Sequence, residues 1–296
     1  MERACNLHSH VTPKHYDCST RSAINYKEPP TTACPPAVPS PSPIVMSGVP
    51  TITQQYMQSN LVVVSITGNI GCGKTTTLQN LPATLHAFNE SHKVLESIEV
   101  ISEPVAEWES SLKRFYQEPS SDALLDLQYL IMGHYSKVST HIQDMQEKCA
   151  QDGLKRLLVI ERSPFDVLHV FLPANRSMLS DNNYLALETF CQHYARQPYW
   201  KNALILYLQA SAEICYDRAC HRKRNSEKTL SRDYMDTLDK LYQNFASHCG
   251  ATSAGLEFCP SQMKVFVQNQ DTSAIETSEW ARTEIVSLLL RNGFAK

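Results

Sequence analysis

Leu61–Thr77, LVVVSITGNIGCGKTTT, is the stretch whose reading decides the fold. Leu61 to Val64 form an apolar, β-branched run that predicts a buried strand. Gly68-Asn69-Ile70-Gly71-Cys72-Gly73-Lys74-Thr75 then satisfies G-x-x-x-x-G-K-[ST] at every fixed position, and Thr76 to Ala87 continues as a helix. Glycines let backbone N–H groups converge on phosphate oxygens, and the helix N-terminus adds the positive end of its dipole. Lys74 is placed to reach β- and γ-phosphates, and the Thr75 hydroxyl to ligate Mg²⁺. Strand, loop and helix occur together, so the stretch predicts binding of a nucleoside triphosphate rather than a chance glycine-rich turn.

The surrounding chain has 296 residues, enough for one or two domains with an ample core. Charged residues make up 19% and apolar residues 42%, a balance typical of globular chains. A net charge of −3 supplies no electrostatic reason to expect nucleic acid or an acidic membrane as a partner. No apolar run is long enough to span a bilayer. The ten cysteines form no C-x-x-C pair and read as reduced thiols of an intracellular protein. Nine of the sixteen prolines fall within residues 1–58, without apolar periodicity, and this predicts a disordered Pro/Ser/Thr-rich tail ahead of one domain over residues 59–296. The tail is not Arg-rich and carries Glu2, Asp17 and Glu28, which favours a cytoplasmic protein over one with a mitochondrial leader.

Beyond the first helix, strands are expected at Val94–Ser102, Arg156–Ile160, Ala203–Leu208 and Val265–Val267. Helices are expected at Asp122–Gln146, Asp181–Arg196 (with Asp181 as cap), Ser211–Arg222 (with Ser211 as cap), Asp233–Ala246 and Ala274–Leu290. Alternating strands and helices with short apolar strands argue a parallel sheet covered on both faces. Ligands then sit beyond the carboxyl ends of the strands, where the phosphate loop, Glu103 and Glu161-Arg162 all fall.

Each of these segments has a chemical and a bland reading. Glu103 is placed to accept a proton from an attacking hydroxyl; otherwise it only ends a strand in solvent before Pro104. Glu161 is placed to serve Mg²⁺ and Arg162 to neutralise a transferring phosphoryl group; otherwise they form a surface ion pair. Arg218, Arg222 and Arg224 crowd like charges onto a helix end, which an anion would compensate in a phosphate-gripping lid; otherwise they are a solvated face. The Gln128 amide offers a donor and an acceptor to a base edge, with Trp108, Tyr116 and Phe171 as aromatic walls or plain core.

Taken together, Gly68–Thr75, Glu103-Pro-Val-x-x-Trp108, Gln128, Glu161-Arg-Ser, Tyr207-Leu-Gln-Ala-Ser and the Arg218 to Glu227 run resemble the deoxynucleoside kinase family in order and spacing. The resemblance implies an α/β P-loop kinase fold: about five parallel strands flanked by helices, with an Arg-rich lid. It implies transfer of the γ-phosphate of ATP to the 5′-hydroxyl of a deoxyribonucleoside, with Mg²⁺. By position Glu103 would be the base on that hydroxyl and Arg162 would sit near the 5′-oxygen. Thr75 and Glu161 would serve the metal, while Gly68 to Thr76 with Arg218, Arg222 and Arg224 would hold the triphosphate. Tyr116 and Glu227 would hold the sugar 3′-hydroxyl, Gln128 would pair with the base, and Trp108 and Phe171 would pack against it. A homodimer joined through helices beside the site is also implied. Ser226 departs from the family, which often has a second acid before Glu227. Purine-accepting members tend to carry Arg and Asp at the positions of Tyr135 and Val167, so a pyrimidine preference is expected. A thymidylate-type kinase would need a basic residue for the acceptor's phosphate near Glu103, where Glu-Pro-Val has the wrong sign; a non-catalytic nucleotide-binding protein is the other alternative.

Overall fold

The computed structural model describes residues 60–250 and 258–294; the proposed tail lies outside them. Five parallel strands stand in the order β2-β3-β1-β4-β5, comprising β1 (Leu61–Thr67), β2 (Ser97–Ile101), β3 (Arg156–Glu161), β4 (Leu204–Gln209) and β5 (Gln262–Val267). Helix α1 (Lys74–His92) follows β1, and α2 (Val105–Gln117) and α3 (Ser121–Asp152) follow β2. Helix α4 (Asp181–Ala195) precedes β4, α5 (Ala212–Arg222) and α6 (Arg232–Gly250) separate β4 from β5, and α7 (Ala274–Arg291) closes the chain. Between β3 and α4 runs a short π-helical segment, Val167–Phe171. No helix among the described residues is long and apolar enough to cross a membrane.

Burial on both faces makes the central strands read as continuous apolar runs rather than alternating ones. Val62, Val64 and Ile66 of β1 join Leu157, Val159, Leu204 and Leu206 in one core layer, against Leu78, Leu81 and Ile285. Leu61 and Val63 point the other way, with Leu158, Ile160 and Ile205, against Leu124, Leu127 and Ile142 of α3. The two-residue period of a strand thus divides one apolar segment between two layers.

The structure corrects several boundaries. Strand β2 is shorter than the 94–102 run, because the Asn89 side chain takes the Val94 and Leu95 N–H groups and the Leu95 carbonyl before it. Helix α3 extends six residues past Gln146 and ends at Gly153, with φ 70, a left-handed cap that glycine adopts without strain. Ser180, not Asp181, caps α4, accepting from the Asn183 N–H, while Asp181 pairs with Arg176. Helix α2, to which the sequence analysis assigned no element, begins after Pro104. It buries Trp108 and Phe115, seven residues apart and so on one face.

Candidate active site

The phosphate loop lies between β1 and α1. Its Lys74 is 5% exposed and donates to the Gly68 and Asn69 carbonyls at 3.1 and 2.9 Å, which holds the ammonium inside the loop's curve. Gly71 has φ 85, and a Cβ there would lie 2.2 Å from the Cys215 carbonyl oxygen of α5. Gly73 has φ 100 with nothing within 4 Å of such a Cβ among the described residues. Gly71→Ala therefore meets both a left-handed backbone and a backbone clash, whereas Gly73→Ala meets the first alone. Gly71→Ala should lose about 2 kcal/mol or more in urea unfolding and Gly73→Ala about half that; equal losses would contradict this close approach.

At the end of β3, Thr75 Oγ1 donates to Glu161 Oε1 at 2.9 Å, and the Glu103 N–H points to Glu161 Oε2 at 3.4 Å. Two hard oxygen donors on neighbouring elements thus stand beside the phosphate loop. Arg162 follows in a left-handed conformation, φ 63, a strained state for a non-glycine residue that its surroundings must impose. Its Nε pairs with Glu103 at 3.0 Å, and its Nη1 donates to the Gly68 carbonyl at 2.9 Å and to Tyr242 Oη at 2.5 Å. Phe171 of the π-helix lies under the guanidinium, 4.8 Å away. Burial pushes the Glu103 carboxyl above the ordinary carboxylate range, and the Arg162 charge pulls against it without cancelling it. A part-buried, arginine-held carboxylate at the mouth of the sheet has the form of a general base, which needs a pKa nearer its working pH.

A cavity of about 600 Å³ opens above these residues. Ile70 to Thr76, Glu103, Glu161 and Arg162 line its base, and Arg218, Arg222, Arg224 and Glu227 its lid side. Trp108, Tyr116, Gln128, Tyr135, Val167 and Phe171 line the far wall. The structure thus brings the sequence-derived residues to one cavity, except Gly68 and Asn69. Those two act from within the loop, where the Asn69 side chain accepts from the Ile70 N–H and donates to the Met235 carbonyl. Gln128 is 2% exposed, and its Oε1 has no hydrogen-bond partner among the described residues. Tyr135 is buried and donates to the Ser163 carbonyl at 2.7 Å. Tyr116 packs edge-on to Tyr234 at 6.3 Å, and burial pushes its phenol well above the usual range.

The lid residues satisfy one another here. Arg222 pairs with Glu227 at 2.6 Å and Arg224 with it at 3.1 Å, so this carboxylate balances two of the crowded cations.

Sequence reasoning missed several residues. Asp166, fully buried, accepts from Tyr242 Oη at 2.8 Å, from Ser163 N and Oγ at 2.8 Å each, and from Thr67 Oγ1. Its signal was the S-x-x-D spacing of Ser163 to Asp166, a capping box with proline at the first helical position. Gln268, beyond β5, accepts from Arg218 at 2.6 Å and donates to the Cys72 carbonyl at 2.9 Å, so it ties the lid helix to the phosphate loop. Asn175 and Tyr234 also line the cavity and bond to each other at 3.1 Å. None of these three had a local sequence signal.

Comparison with known proteins agrees with this geometry. Residues 64–292 match the family model described as deoxynucleoside kinase. The chain is 27% identical over 195 residues to the probable deoxycytidine kinase of fowlpox virus, an alignment covering 62% of this chain and 71% of that protein. It is 26% identical over 190 residues to mitochondrial thymidine kinase 2 of Macaca fascicularis, covering 62% of this chain and 63% of that one. A solved structure of deoxyadenosine kinase from M. mycoides, with the products dCMP and a flexible dCDP bound, superposes with a TM-score of 0.56 at 18% identity. It covers 76% of this chain and 100% of that one, and at such identity it bears on the fold alone. The family match takes in the phosphate loop, the acid–arginine pair and the lid run, and on that evidence the chain belongs to the deoxynucleoside kinase family, an enzyme that phosphorylates deoxynucleosides.

Proposed function

We propose that the protein transfers the γ-phosphate of ATP to the 5′-hydroxyl of a pyrimidine deoxyribonucleoside. The observation that carries this reading is Gln128, whose buried amide oxygen has no hydrogen-bond partner among the described residues, beside a wall filled by Tyr135 and Val167. A buried polar atom without a partner is costly, so a base edge that donates to it gains affinity and orientation. Tyr135 and Val167 take up volume in the wall and offer a larger bicyclic base no charged partner. Trp108 and Phe171 enclose the base, and Tyr116 and Glu227 hold the 3′-hydroxyl.

In this reading Glu103 takes the proton of the 5′-hydroxyl, and Arg162 stabilises charge at the transferring group. Lys74 and the loop N–H groups grip the triphosphate, and Arg218, Arg222 and Arg224 close over it. Thr75 Oγ1 and Glu161, 2.9 Å apart, suit a hard cation that keeps several of its waters. Mg²⁺ held there would supply charge neutralisation across the phosphates.

The test is ATP-dependent phosphorylation of all four deoxyribonucleosides and of thymidylate. Thymidine and deoxycytidine should be converted with the highest kcat/KM; equal values for the purine nucleosides would refute the base assignment, and turnover of thymidylate the acceptor assignment. Gln128→Leu should raise the KM for the preferred nucleoside about tenfold or more, with a smaller change in kcat.

A homodimer is proposed from the exposed Tyr129 and Leu130 of α3 and Leu185 and Phe190 of α4, which put large apolar side chains on two adjoining helices beside the site. Sedimentation should read a dimer that Leu185→Glu with Phe190→Glu converts to monomer. The near-neutral charge argues against a nucleic-acid partner, and the acidic residues of the N-terminal segment favour a cytoplasmic location.

A further inference from the structure

Cys249, at the end of α6, and Cys259, on the approach to β5, are ten positions apart in sequence with sulfurs 3.3 Å apart, the Cys249 S–H donating to Cys259. Both are partly exposed, whereas Cys72, Cys149, Cys191 and Cys215 are buried. We infer that Cys249 and Cys259 form a redox-modification site, a dithiol that hydrogen peroxide converts reversibly into an intrachain disulfide.

The roles of the two sulfurs follow from the direction of the hydrogen bond. Accepting from Cys249 holds the Cys259 thiol below its ordinary value, so Cys259 supplies the thiolate. The same bond, with burial, keeps Cys249 protonated. The Cys259 thiolate attacks one peroxide oxygen and the O–O bond breaks. The attacked oxygen keeps its hydrogen and leaves Cys259 as the sulfenic acid, while the other oxygen departs as hydroxide and takes one proton from solvent to become water. The Cys249 sulfur then attacks the sulfenic sulfur, the S–S bond forms, and the hydroxyl departs with the Cys249 proton as a second water. Two thiols and one peroxide thus give one disulfide and two waters. Two buried thiols differ in kind: burial pushes Cys191 up to about 12 and Cys215 higher still, which keeps both as thiols.

The position also connects to the active site. The carbonyl of Phe258, the residue before Cys259, receives the His169 ring N–H, and His169 stacks on Phe245 of α6 at 4.8 Å. His169 belongs to the same π-helix as Phe171, which underlies Arg162. A disulfide at this point would staple α6 to the segment that His169 holds.

The experiment treats the full-length folded protein with limiting hydrogen peroxide and maps it without reduction after cleavage at Glu257, which separates the two cysteines. The expected product joins the Cys249 and Cys259 peptides, with loss of the mass of two hydrogens, and dithiothreitol releases it. Cys249→Ser should trap Cys259 as a sulfenic acid that dimedone labels, while Cys259→Ser should leave Cys249 as the thiol. Linkage of either residue to Cys220 or to Cys5, Cys18 or Cys34 would overturn the proposal. So would dimedone labelling of Cys249 in the Cys259→Ser variant, or recovery of both thiols unchanged.

Discussion

Glu103→Gln is expected to lower kcat about 100-fold or more, the contribution of a positioned general base, while the KM values for nucleoside and ATP change much less. Glutamine preserves the side chain's volume and one acceptor for Arg162 Nε, now 3.0 Å from the carboxylate, so the pocket survives and only proton acceptance is lost. The pH profile provides a second readout. A general base works only when ionised, and burial raises this carboxyl above its ordinary value against the pull of Arg162. In the wild type, kcat/KM should therefore fall with decreasing pH through an apparent pKa higher than that of an exposed glutamate. The same limb should be missing from the glutamine variant. A variant with kcat within threefold of wild type, or one that keeps the limb, would remove Glu103 from the role.

Asp166→Ala should cost about 3–5 kcal/mol of unfolding free energy, the range for removing one partner from a buried charged network. Asp166 is 0% exposed, and its carboxylate takes hydrogen bonds from Tyr242 and from both the N–H and hydroxyl of Ser163, with Arg162 Nη1 3.6 Å away. Truncation leaves these donors buried without an acceptor and relaxes the strained φ of Arg162 that they help to impose. Denaturant unfolding at neutral pH reads the first effect and kcat the second. Asp166→Asn, which keeps one acceptor, should fall between alanine and wild type in both. A loss under about 1 kcal/mol for alanine would show that water replaces the carboxylate at little cost.

The phosphate loop, Glu103, Glu161-Arg162 and the arginine run were legible in the sequence because each is a local pattern. Glycines at fixed spacing after an apolar strand, acids and arginines where strands end, and cations four apart on a helix all act within a few residues. Helix α2 was legible in principle from the spacing of Trp108, Leu112 and Phe115, but Glu103, Trp108 and Tyr116 were read for their chemistry and not for a helical period. The cap of α4 was displaced by one residue because Ser180 and Asp181 are both good cap formers, and Arg176 claimed the aspartate.

By itself, then, the sequence determined a nucleotide-binding α/β chain with its strands in parallel and its chemistry at their carboxyl ends. Only the tertiary structure decided what those side chains touch. Asp166 meets Thr67 across 99 positions and Tyr242 across 76, and Gln268 reaches the Cys72 carbonyl across 196. Such contacts exist because β1 lies between β3 and β4 in the sheet, which brings the loops after distant strands to one edge. The pairing of Glu227 with both Arg222 and Arg224 was likewise invisible in a run of charges, because it depends on the turn through Lys223, at φ 54, that folds the lid back on itself.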